Sequence, residues 1–122
     1  MREPFVQAAT LELDADADPA ALGGAVTVAL CGHWEHDGAC RWPHHSRVED
    51  VAGAFELRTV FLAGPDEEAD VRERIGAALA GGSLEGPHHR VSRWRVLGNR
   101  SADLTPADAE LAAGMADGHA GR

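Results

Sequence analysis

Apolar side chains recur along this chain at two spacings, and each change of spacing marks a change of element. Residues 10–14 alternate as Thr-Leu-Glu-Leu-Asp and predict a short strand. Residues 16–23 predict a helical turn. There Asp18 can cap, Pro19 suits the first helical position and Gly23 can end the turn. Over 25–30, Val26, Val28 and Leu30 alternate with small residues, which predicts a second strand. Periodicity then stops from 32 to about 53. It resumes at 55–62, where Phe55, Leu57, Thr59 and Phe61 share one face. From Asp66 the spacing becomes helical, with Val71, Ile75, Ala78 and Leu79 on one stripe. Acids crowd the first turn of this helix, and Glu68–Arg72 and Asp70–Arg74 stand four residues apart. Gly81-Gly82 ends it. Residues 90–97 predict a further strand, and Thr105-Pro106 opens a last helix with Leu111 and Met115 one turn apart.

The resulting order is a βαββαβ core, the ferredoxin-like arrangement: one antiparallel sheet with helices on one face, plus a C-terminal helix. The expectation is one α+β domain over 1–116, a long irregular loop over about 32–53, and a frayed tail at 117–122. With 122 residues there is no room for a second core. Twenty-three residues are alanine, so the side chains able to fill space are few. A core this sparse favours a homodimer or a metal tie as added support.

Charge narrows the function classes. Twenty acids against eleven bases give a net charge of −9. That argues against nucleic acid and against an anionic membrane surface as partners, since both attract basic patches. Neither an apolar leader nor an 18-residue apolar run is present, so a cytoplasmic protein is expected. In that compartment two cysteines are thiols rather than a disulfide.

The candidate chemistry lies where periodicity fails. Cys31, His33, His36, Cys40, His44 and His45 fall within fifteen residues, six of the nine Cys and His in the chain. Thiolate and imidazole are zinc ligands, and copper and nickel accept them too. The preferred set is Cys31, His33, His36 and Cys40, with His44 or His45 replacing one member. The C-x-H-x2-H-x3-C spacing fits no zinc-finger pattern, and His33-Trp34-Glu35-His36 is not a zincin order. Glu35 and Asp37 read first as solvated acids; beside a metal they would be acceptors for ligating imidazoles, or bases on a metal-bound water. Trp34 and Trp42 would shield the site or simply pack as loop anchors. The expected function is thus a small zinc-binding domain, structural or metal-responsive. The alternatives are a homodimeric interaction or small-ligand module without a metal, and a small metalloenzyme. A Cys31–Cys40 redox pair is a further reading of the same residues.

Two weaker features remain. His88-His89 precedes the strand at 90–97 and is expected to lie away from the cluster. Arg93 and Arg95 share one face of that strand, with Trp94 on the other. An anion or single-strand platform is one reading of them. A charged strand surface with Trp94 in the core is the other, favoured by the overall acidity. No phosphate-binding glycine loop and no serine nucleophile motif is present.

Overall fold

A computed structural model describes residues 2–31, 42–86 and 89–120, with side chains to Ala116. The elements are β1 (Glu3–Leu13), α1 (Ala20–Cys31), β2 (His44–Val51), β3 (Ala54–Ala63), α2 (Glu68–Ala80), β4 (Ser83–Glu85), β5 (Val91–Ala102) and α3 (Pro106–Ala120). Among the described residues five antiparallel strands form one curled half-barrel sheet, ordered β2-β3-β1-β5-β4. This corrects the ferredoxin-like βαββαβ expectation. The second predicted strand is a helix, the predicted irregular loop contains a strand, β4 is an added edge strand, and α3 covers the opposite face of the sheet.

The correction at 25–30 has a local cause. Leu22, Val26 and Leu30 repeat every four residues and are all buried. The alternation of Val26, Val28 and Leu30 is therefore also half of a helical stripe, and a six-residue apolar run cannot separate the two periods. Asp18 settles the start, its Oδ1 accepting from the Ala20 N–H at 3.0 Å. Gly23 lies inside the helix rather than ending it, where α1 passes the sheet at ordinary van der Waals distance. A Cβ on it would stand 3.6 Å from the Ser46 Cβ.

β2 escaped notice because its inward positions are His44, Ser46 and Val48, only one of them apolar. It pairs with β3 from His44↔Phe61 to Val51↔Ala54. Ala52 and Gly53 close this hairpin with φ of 53° and 88°, the signature of a type I′ turn. Alanine in the left-handed region is strained by about 1 kcal/mol. Ala52→Asn is therefore expected to stabilise the protein by about 0.5–1 kcal/mol, seen as a higher urea midpoint at unchanged slope. An unchanged midpoint would mean the strain is relieved elsewhere.

The main core lies between the sheet and α1 and α2. Leu11, Leu22, Val26, Trp42, Leu57, Phe61, Val71, Ile75, Leu79 and Trp94 fill it. On the other face Val6, Val60 and Leu62 pack against Ala112 of α3. Arg58 of β3 and Asp108 anchor that helix. Asp108 is fully buried and accepts from Arg58 Nε at 3.1 Å and from Arg58 Nη2. Thr105 and Asp108 also bond reciprocally, Thr105 N–H to Asp108 Oδ2 at 2.9 Å and Asp108 N–H to Thr105 Oγ1 at 3.2 Å. This is a capping box with aspartate in the third position. No helix among the described residues is long and apolar enough to cross a membrane.

Candidate functional site

α1 and β2 bring part of the Cys/His cluster together. Gly23, Thr27 and Cys31 lie four residues apart, so they form one narrow stripe along α1. That stripe faces the start of β2. Gly23 meets Ser46, and the Thr27 and Cys31 side chains converge on His44. Strand alternation puts His44 on the helix side and His45 on the exposed opposite face. Of the adjacent pair, only His44 is in position.

The imidazole is held at both nitrogens. Nδ1 lies 3.1 Å from the Trp42 carbonyl, which can only accept, so Nδ1 carries the proton. Nε2 lies 3.1 Å from Thr27 Oγ1 and takes the hydroxyl proton in the neutral tautomer. Cys31 Sγ stands 4.0 Å from Nδ1. Trp42 itself is buried in the main core, with the Arg74 guanidinium 4.9 Å from its ring centroid. The ring is thus part of the main core, and it is the backbone carbonyl of Trp42 that meets the histidine.

Cys31 is disulfide-bonded, and no described cysteine is free. The sequence holds one other cysteine, Cys40, which lies outside the described residues. The expectation of reduced thiols at Cys31 is corrected by this finding: its sulfur can serve a metal only after reduction. His33, Trp34, Glu35 and His36 also lie outside the described residues, as do Asp37 and His88. Among the described residues no group of three or more His, Cys, Asp or Glu side chains could hold a metal. His89 follows β4 at the far end of the sheet, beside Glu85 at 3.5 Å, and is almost fully exposed. Leu13 pairs with Trp94 at that end, whereas His44 and Phe5 both pair with Phe61 at the other. His89 is thus remote from His44.

Trp94 and the arginines beside it do not form one platform. Trp94 is buried, and its Nε1–H donates to the Leu79 carbonyl at 2.8 Å. Arg93 and Arg95 are exposed on the other side, Arg95 pairing with Glu12 at 2.9 Å. Base stacking on Trp94 beside these arginines is therefore excluded.

Sequence reasoning missed Thr27, because as a strand residue it had no relation to Cys31. Helical numbering, with 27 and 31 one turn apart, is the signal that finds it. No protein-family model matches this chain, and no curated protein and no solved structure matches it.

Proposed function

We propose that this chain is a small metal-binding domain, with zinc as the first choice of ion, whose donors are gated by a thiol–disulfide couple. The carrying observation is the 4.0 Å approach of Cys31 Sγ to His44 Nδ1, made by residues thirteen apart. Two donors on one tetrahedral zinc stand about 3.6 Å apart, given bonds of about 2.3 Å to sulfur and 2.1 Å to nitrogen. Half a site thus needs only a small closing movement.

Reduction by a thiol reductant breaks the S–S bond and releases two protein thiols, while two reductant thiols become one disulfide. Zinc then displaces the two thiol protons. His44 would give up its Nδ1 hydrogen bond to the Trp42 carbonyl and switch tautomer, with Nε2–H then donating to Thr27 Oγ1. Cys40, His33 and His36 are the sequence candidates for the remaining places. The other cations suited to such donors are copper and nickel. A cytoplasmic setting belongs to this proposal, because its glutathione pool keeps the thiols available.

Zinc content after dialysis tests the reading. Protein kept in a phosphine reductant is expected to retain about one zinc per chain, and air-oxidised protein none. His44→Ala should weaken zinc binding by at least about tenfold, and Cys31→Ser should abolish it. Reduced protein that retains no zinc, or a His44→Ala variant that binds it as tightly, would overturn the proposal.

A further inference from the structure

A second site stands at the start of β1, between β5 and α2, and it does not depend on the metal reading. β1 pairs with β3 as far as Glu3↔Ala63, but with β5 only to Val6↔Ala102. Beyond that point β5 leaves the sheet toward α3. The gap opens into a cleft of about 490 Å³ between the start of β1, the first turn of α2 and residues 101–104. That volume is within the range of about 300–1,000 Å³ for small-molecule sites.

Arg72 lines this cleft and is fixed there. Its Nε donates to Glu68 at 2.8 Å, and its Nη1 to the Val6 carbonyl at 2.7 Å and to Gln7 Oε1 at 2.6 Å. Gln7 is held in turn by Asn99. The guanidinium carbon lies 5.8 Å and 5.4 Å from the ring centroids of Phe5 and Phe61. Three of its five protons are thereby used, and Nη2 has no acceptor among the described residues. A planar cation held this way, with donors left over, is prepared for a carboxylate.

A simple anion does not fit the rest of the lining. Glu68 and Asp103 also face the cleft, and among the described residues Asp103 forms no ion pair through its side chain. One arginine against two carboxylates leaves a net negative site, which suits an ammonium beside the carboxylate. Phe5 and Leu104 add apolar surface. We infer that this cleft binds a small zwitterion of the amino-acid type with an apolar side group. Arg72 takes its carboxylate, Glu68 and Asp103 take its ammonium, and Phe5 and Leu104 take its side group.

The test is an amide chemical-shift titration of the full chain with L-leucine, N-acetyl-L-leucine and L-leucinamide. L-leucine is expected to shift the amides of Phe5, Arg72 and residues 101–104 saturably. The two blocked analogues should bind at least about tenfold more weakly, each lacking one charge. Asp103→Asn should weaken L-leucine in the same sense, and Ser101→Trp, which fills the cleft from an exposed position, should abolish binding. No saturable shift up to about 10 mM L-leucine would overturn the inference. So would equal binding of all three probes, or unchanged binding in both variants.

Discussion

Trp42→Ala is expected to destabilise the protein by about 4 kcal/mol, within the usual range for emptying a buried aromatic site. The ring is 1% exposed and heads the largest fully buried side chains. It joins α1, α2 and the sheet in one cluster, and Arg74 stacks above it. Removing it forfeits the transfer free energy of the indole and leaves a cavity among Leu, Val and Phe side chains that cannot collapse fully. Against a total stability of about 5–15 kcal/mol the loss is large. Trp42→Phe keeps most of the volume and should cost about half as much or less. Urea unfolding of the three proteins measures this, and an alanine variant within 1 kcal/mol of the parent would show that the ring is not a core element. The functional consequence follows from the backbone. The Trp42 carbonyl holds His44 Nδ1. Zinc binding through Nδ1 must break that bond, so Trp42→Ala should lower stability far more than zinc affinity in the reduced protein.

Asp108→Asn should cost about 3 kcal/mol, the lower end for breaking a buried ion pair, because Arg58 retains some contact with solvent. The asparagine keeps the shape but leaves the Arg58 guanidinium buried against a neutral amide. It also weakens the cap of α3. The hydrogen bonds from Arg58 hold the Asp108 carboxyl well below the usual carboxylate range. Bonds from Thr105 pull in the same direction, and burial opposes both. The folded pKa thus lies below the unfolded one. The stabilisation is complete above about pH 4 and is lost progressively as pH falls toward the folded value. The parent should therefore lose stability steeply below pH 4, and the Asp108→Asn variant less steeply. Hydrogen exchange should show the loss first in α3, whose other anchors are the contacts of Ala112, Leu111 and Met115. Replacing both partners, Arg58→Met with Asp108→Leu, should recover most of the stability, since no charge is then left unpaired. Parallel acid limbs in parent and variant would overturn this account.

Much of this architecture is written in local spacing, and the rest depends on partners far away in the chain. α2 was legible because its apolar stripe, acidic first turn and closing glycines agree over thirteen residues. β3 was legible because both of its faces are well populated. β1 was seen only at its end. Its inward positions from Phe5 onward include Gln7 and Ala9, and Gln7 is acceptable in the core only because Arg72 and Asn99, distant in sequence, satisfy it. Arg58 and Asp108, fifty residues apart, carried no mark of their pairing.

The amino-acid order alone determined α2, β3, the acidic composition and the crowding of cysteine and histidine into one segment. These follow from short-range periodicity and composition, which need no knowledge of the remainder. Tertiary structure decided that residues 25–30 are helix, that His44 faces inward and His45 outward, and that β5 parts from β1 to open a cleft. Each of these is a choice between local states of similar energy. The choice falls to the packing of surfaces the chain brings together only when folded.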